Sequence, residues 1–355
     1  MHSINHYIVS GLFALVGCLI SGCDRSSPAP GSGTTATQAL SNEQTDAAKK
    51  LLGSDSSNKL TKVALLLNWY PEAEHGGFYA AQVHGIYQRY GLDVDIRAGG
   101  KTTVVPQELI LDRVQFGVAN ADDVLIARNQ DLDLVALMAP IQDGPRCILT
   151  RKDSGIDSFE KLKNVKLQID STRPYIPFLR SKGLLSENVE IVPYFGSVAQ
   201  VVAEKNVACQ GYNFSEPFMA RQQNVDVNEL MLSAIGYNPY ASLLITTNKY
   251  LRGHDAICEK MVKASIEGWT KYLEAPEETN KVILQNNKQG LEKAALDYGV
   301  VALKKLCLPE GQETTAIGQM SEIRWNELAT TLVNLKIISN RPSVGQSAYT
   351  DQFLK

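Results

Sequence analysis

From Leu60 onward, short apolar runs alternate with stretches whose apolar positions recur every three to four residues. Residues 63–67 form an apolar run of strand length, and Pro71, with no amide hydrogen, ends it. Residues 78–90 resume with helical spacing, and Gly91 reads as the C-cap. Leu92-Asp93-Val94-Asp95-Ile96 alternates strictly, as a strand with one buried face does. A helix over 104–112, a strand over 116–120, a helix over 121–129 and a strand over 134–139 complete a first set. A second set has strands at 165–169, 189–193 and 208–212, an extended stretch at 230–235, and helices at 175–182, 197–204 and 216–223. Leu243-Leu244-Ile245-Thr246-Thr247 reads as a returning strand, and amphipathic helices at 258–273, 279–285, 290–306 and 320–335 fill the remainder. Repeated βα units predict an α/β protein with mostly parallel sheets and right-handed crossovers. Crossings near 149 and 245 divide it into one lobe of residues 60–148 plus 246–355 and a second of residues 149–245. Two crossings make a hinge, and a cleft that closes by hinge bending suits a binding protein.

Before Leu60 the pattern changes. Residues 7–19 are apolar over a length too short to span a bilayer but suited to a signal-peptide core, although no Lys or Arg precedes it. Leu19-Ile20-Ser21-Gly22-Cys23 resembles a bacterial lipobox, which makes residues 1–23 a signal peptide and Cys23 the lipidated residue. Residues 24–59, rich in Ser, Pro, Gly, Thr, Ala and Gln, read as a flexible linker. The layout is that of an exported protein held to a bacterial membrane only by an N-terminal lipid.

Composition removes other classes. A net charge of −3 over 355 residues, with no basic-aromatic interleaving, gives no footprint for nucleic acid or an anionic membrane surface. Cys147, Cys209, Cys258 and Cys307 share no CxxC and no metal-ligand spacing; export permits pairing, burial as free thiols is the alternative, and spacing leaves both open. Glu72-x-x-His75 lacks a second His or Cys, Gly99-Gly100-Lys101-Thr102 has Asp95 where a phosphate loop needs its first Gly, and no Gly-x-Ser-x-Gly is present. No metal or cofactor is called for.

The stretch Asn68-Trp69-Tyr70-Pro71-Glu72-Ala73-Glu74-His75-Gly76-Gly77 gathers aromatic, acidic and imidazole groups at the C-terminal edge of the first strand, where open α/β sheets bind ligands. His75-Gly76-Gly77 reads as backbone freed to turn. Leu67 to Pro71, with His75-Gly76-Gly77-Phe78-Tyr79-Ala80-Ala81-Gln82 and Gly85-Ile86-Tyr87, resembles the opening signature of the NMT1/THI5-like family. Gly91-Leu92-Asp93-Val94, Phe116-Gly117-Val118-Ala119-Asn120-Ala121, Gly211-Tyr212 and Glu216-Pro217-Phe218 extend the likeness over residues 63–247. The resemblance implies a two-lobed periplasmic-binding-protein fold (type II) and service as the substrate-binding component of an ABC importer, with the permease as partner. It also implies a flat heterocyclic ligand, chiefly a thiamine-precursor pyrimidine, with riboflavin the alternative. The family's pyrimidine phosphate synthases carry a Lys for pyridoxal phosphate where Ala119 stands, a His where Asp123 stands, and a Cys-rich run where Gly236-Tyr237-Asn238-Pro239-Tyr240 stands. A Schiff base needs an amine, so the chain is read as a binder and not an enzyme.

A flat ring is held between side-chain faces and read at its edge by a few polar groups. Trp69, with Asn68 beside it, is the candidate for one wall, and Tyr212 or Tyr237 for the other. Glu216 and Asn120 are candidates to answer the donors and acceptors of an aminopyrimidine edge, with His75 and Asp170 behind them. A monomer suffices for such a site.

Overall fold

The structure, a computed structural model, describes residues 59–309, 316–339 and 348–354. The expected signal peptide with Cys23, and all but the last residue of the expected linker, lie outside the described residues.

Among the described residues, ten strands form two five-stranded sheets. The first holds β1 (Thr61–Leu66), β2 (Leu92–Arg97), β3 (Phe116–Ala119), β4 (Leu134–Met138) and β10 (Leu243–Thr247), in the order β2-β1-β3-β10-β4. The second holds β5 (Arg146–Arg151), β6 (Lys166–Gln168), β7 (Glu190–Val192), β8 (Val207–Tyr212) and β9 (Val227–Met231), in the order β7-β6-β8-β5-β9. β1 pairs in parallel with β2 and β3, and β6 with β7 and β8. The reversed strands are β10, antiparallel to β3 and β4, and β5, antiparallel to β8 and β9. These two are the strands by which the chain enters the second sheet and returns to the first, so each crossing inserts one reversed strand into an otherwise parallel sheet.

The apolar runs are continuous because the first sheet is covered on both faces. Val63 and Leu65 of β1, Phe116 and Val118 of β3, and Val135 and Leu137 of β4 enter one buried cluster. Their alternates, Ala64, Leu66, Ala119, Leu134 and Ala136, enter another.

Four expectations are revised. The helix expected over 78–90 is two helices, Gly76–Val83 and Ile86–Arg89, parted by Gly85 at φ 64°. Gly76 does not loosen a turn: its φ is −57°. Instead, a Cβ at Gly76 would lie 1.9 Å from the Tyr272 ring and one at Gly77 2.1 Å from Trp269. The pair is there because the helix Gly76–Val83 lies against the long helix Asp255–Glu274 with no room for side chains. The extended stretch expected at 230–235 is β9 at Val227–Met231 followed by a 3-10 turn, Ser233–Ile235. β9 is an edge strand in which only Val227 and Leu230 are buried, so its apolar run does not mark its extent. The helix Asn248–Gly253 was not foreseen; the Thr247 hydroxyl accepts from the Tyr250 amide at 3.0 Å and starts it. The four cysteines are buried free thiols.

Candidate functional site

The segments that follow β1, β3, β6 and β8 open into one cleft of about 1050 Å³, lined from both sheets. All four follow the C-terminal ends of parallel strands, the ligand position of open α/β sheets. The Asn68–Trp69 segment is fixed from behind by Gly99, whose amide donates to the Trp69 carbonyl at 3.0 Å. A Cβ there would meet the Leu67 carbonyl oxygen at 2.2 Å. Gly99 serves this close backbone approach, while a Cβ on Gly100 would meet the Tyr70 ring at 2.9 Å. Trp69 is partly exposed and packs edge-on against Tyr70, with centroids 5.1 Å apart.

Six of the eight expected residues border the cleft: Asn68, Trp69, Asn120, Asp170, Tyr212 and Glu216. Their polar groups differ in freedom. Asn120 is largely committed, donating to Asp123 Oδ2 at 3.1 Å and accepting from the Ser242 amide at 3.3 Å. Asp170 accepts from the Thr172 amide and hydroxyl and from Arg173 Nε at 3.1 Å. Burial works against its ionisation, but the Thr172 bonds and Arg173 prevail and its pKa is lowered. Glu216 accepts from Tyr194 Oη at 3.0 Å and from the Tyr212 amide at 2.8 Å.

Two residues stand away from the cavity wall. Tyr237 is 2% exposed; its ring packs on Phe178 and its hydroxyl donates to Asp122 Oδ2 at 2.8 Å. His75 is fully buried, with Nε2 3.0 Å from Asn68 Oδ1. Burial pulls its pKa from 6.5 to about 3, so the ring is neutral and its 3.5 Å approach to Glu74 Oε1 is no ion pair. With Asn68 Oδ1 as acceptor, the proton sits on Nε2, an assignment from the network that agrees with the unpartnered Nδ1. His75 therefore turns the Asn68 amide so that its Nδ2 is free for the cleft.

Sequence reading passed over the charges that dominate the site. Glu72 and Glu74 line the cleft with Glu216. Burial, then the charges of Glu74 and Glu216, drive the Glu72 pKa far up. Burial lifts Glu74 from 4.5 to about 7; the Ser242 hydroxyl, 3.2 Å away, holds it back and Glu216 adds to the rise. Burial raises Glu216 as well. Among the described residues no three acidic, His or Cys groups are placed to hold a metal ion, so the trio is no metal centre. Elsewhere in the cleft, Arg146 Nη1 bonds Asp122 Oδ2 at 2.5 Å, and Arg173 reaches Asp123 and Asp170. Burial disfavours charge on Asp122, yet Arg146 and Tyr237 outweigh it and its pKa falls. Tyr175, Tyr194 and Tyr212 give the second lobe three aromatic side chains on the cleft. The Glu pair stands between the two halves of the opening signature, but Arg146 offers only the signal of a charge heading an apolar strand.

The model of the family described as NMT1/THI5 like matches residues 72–279. A Chloroflexus aurantiacus protein named riboflavin-binding protein RibY is 24% identical over 234 residues, 64% of this chain and 66% of that protein, just under two thirds of its length. A Halalkalibacterium halodurans formylaminopyrimidine-binding protein is 22% identical over 284 residues, 77% of this chain and 85% of that one. In fold, the periplasmic aliphatic sulphonate binding protein SsuA from Escherichia coli matches with a TM-score of 0.59 at 14% identity, over 81% of this chain and 92% of that one. The chain thus has the two-lobed periplasmic-binding-protein fold.

Proposed function

The chain belongs to the NMT1/THI5-like family, and from that membership and its cleft we propose that it is the exported substrate-binding component of an ABC importer for a small aromatic heterocycle. The leading ligand is an aminopyrimidine of the thiamine-precursor kind, and the partner is a permease. The observation that carries this reading is the cleft itself, with the Trp69 indole on one lobe, tyrosine rings on the other, and the side chains of Glu72, Glu74 and Glu216 in its lining. Such rings hold a planar guest by its faces. The Glu72, Glu74 and Glu216 side chains supply acceptors for the amine of its edge, and a carboxyl kept protonated by its raised pKa supplies a donor to a ring nitrogen. A flavin is the second reading, favoured by the riboflavin-binding relative and by a volume large enough for a tricyclic ring. Catalysis on pyridoxal phosphate lacks its amine, since Ala119 stands at the Lys position. We also propose that Cys23 carries the lipid anchor, that the lobe expected over residues 149–245, built on the second sheet from β5 up to the residues before β10, moves against the rest, and that the protein works as a monomer, since one chain supplies the whole cleft.

Trp269 and Trp325 are 0% and 2% exposed, so of the three tryptophans only Trp69 can report on the cleft directly. Protein refolded free of ligand is titrated with aminopyrimidines and with riboflavin while tryptophan emission is followed. Quenching by an aminopyrimidine, lost in Trp69→Ala, is the expected result. Quenching by riboflavin alone moves the assignment to flavin, and no response to either removes it.

A further inference from the structure

Of the three tyrosines that the second lobe brings to the cleft, two are engaged elsewhere. The Tyr175 ring is buried against Tyr237 and carries the Arg146 guanidinium over its face. Tyr212 meets the Phe214 ring in a T-shaped contact, with centroids 5.3 Å apart. Tyr194 is half-buried and backed by the cluster that holds Val201 and Cys209; among the described residues no ring or cation lies against it. It follows β7, an edge strand of only three residues. Among the described residues, no backbone amide or carbonyl of 193–196 bonds another backbone group, so side chains must seat this segment.

Two of them do. From the first lobe, Lys101 Nζ donates to the Phe195 carbonyl at 2.9 Å. Lys101 stands two residues beyond Gly99, whose amide holds the Trp69 carbonyl. The segment bearing Trp69 and the segment bearing Tyr194 are thereby joined at the exposed rim of the cleft. From the second lobe, Glu216 reaches past the end of β6 to Tyr194. One of its carboxyl oxygens takes the Tyr194 hydroxyl at 3.0 Å and the other the Tyr212 amide at 2.8 Å. A Cβ on Gly211 would lie 3.0 Å from the Glu216 Cβ, so a glycine there lets the carboxyl arm lie on the strand end. We propose that Tyr194 is the second-lobe ring that faces Trp69 across the bound heterocycle, and that Glu216 is its positioning residue. A ring tied at its hydroxyl has little freedom left to lose when a guest stacks on it, which is the gain of preorganisation. This rests on the heterocycle reading above and assigns one face of its site.

The test uses the full chain in calorimetric titrations with a methyl-substituted aminopyrimidine, and with riboflavin if the pyrimidine does not bind. Tyr194→Ala should weaken binding about 10-fold or more by removing a stacking face. Tyr194→Phe keeps the ring but loses its tie, and should weaken binding about 3- to 10-fold. Glu216→Ala should weaken it at least as much, and adding Tyr194→Phe to Glu216→Ala should cost nothing further, because the tie is already gone. In protein carrying an isotope label in its tyrosine rings, the Tyr194 magnetic-resonance signal is identified by its loss in Tyr194→Phe. That signal should move when the probe binds, and move less in Glu216→Ala. A Tyr194 signal that ignores a bound probe, or wild-type affinity in Tyr194→Ala, overturns the inference and leaves the heterocycle reading standing. Unchanged affinity in Tyr194→Phe, or losses from the two substitutions that multiply, would show a merely structural Glu216 and overturn it as well. If Glu216→Ala fails to fold, Tyr194→Phe and the ring signal decide. Failure of the wild type to bind both probes removes the heterocycle reading and this inference together.

Discussion

Two charged clusters share this cleft, and the folded chain treats them in opposite ways. Around Arg146, Asp122 lies at bonding distance and Tyr237 adds a second donor to the same carboxylate oxygen. Around Glu74, three carboxylates gather with no Lys or Arg in ion-pair reach among the described residues, helped by hydroxyls and one backbone amide. The first cluster answers its own charges, so they hold the fold. The second raises its own pKa values and stays costly until something with donors arrives. Relief of that penalty by a ligand's donors adds to the affinity of the proposed binding role, because the cost is carried by the free protein alone.

The largest expected difference comes from breaking the compensated cluster. Asp122→Asn leaves Arg146 buried without its counter-charge, and removing one partner of a buried pair costs about 3–5 kcal/mol. Urea unfolding near neutral pH should show that loss; a change below about 1 kcal/mol would mean that Arg146 rearranges to water and the cluster is not structural.

The acidic cluster should respond with the opposite sign. Glu74 binds protons more tightly folded, near pH 7, than unfolded, near 4.5. The free protein therefore loses stability as pH rises through that window, and below it Glu74 contributes no difference. Glu74→Gln removes the ionisation. Ligand-free Glu74→Gln should match the wild type near pH 4 and exceed it by on the order of 3 kcal/mol at pH 8. The same substitution should weaken aminopyrimidine binding about 10- to 100-fold at pH 8, the value of a hydrogen bond to a charged group. A variant less stable than the wild type at pH 8 would show that Glu74 is compensated after all.

How much of this was legible follows the same division. The inner strands of the first sheet were readable because both faces are buried and give continuous apolar runs of strand length, and the edge strand β2 because one buried face gives strict alternation. Six of the eight site candidates border the cleft because strand ends and ring chemistry mark positions locally. Tyr237 looked like a wall residue, yet its depth depends on Phe178 and Asp122, which are remote in sequence. Arg146 was invisible for the same reason: its meaning lies in Asp122, 24 residues away. The Gly76–Gly77 pair was misread because a close helix contact and a flexible turn ask for the same residue.

The smallest effect offers the sharpest comparison, because each cluster contains one hydroxyl that donates to a carboxylate. Tyr237→Phe removes the donor to Asp122, and Ser242→Ala the donor to Glu74. Both side chains are buried, and each loss should cost about 1–2 kcal/mol when the acceptor is ionised. Their pH dependence must differ. Asp122, with its pKa held below 3.8, is ionised throughout the range above about pH 5, so the cost of Tyr237→Phe is flat there. Glu74 gains its charge only as pH passes about 7, so the cost of Ser242→Ala should be small at pH 5 and rise toward pH 8. The folded-state pKa of Glu74, which Ser242 lowers, should climb further in that variant, and this is the same free energy seen by titration. Parallel pH profiles for the two substitutions would place both carboxylates in one electrostatic environment, and the distinction between a cluster that holds the fold and one that awaits a ligand would fail.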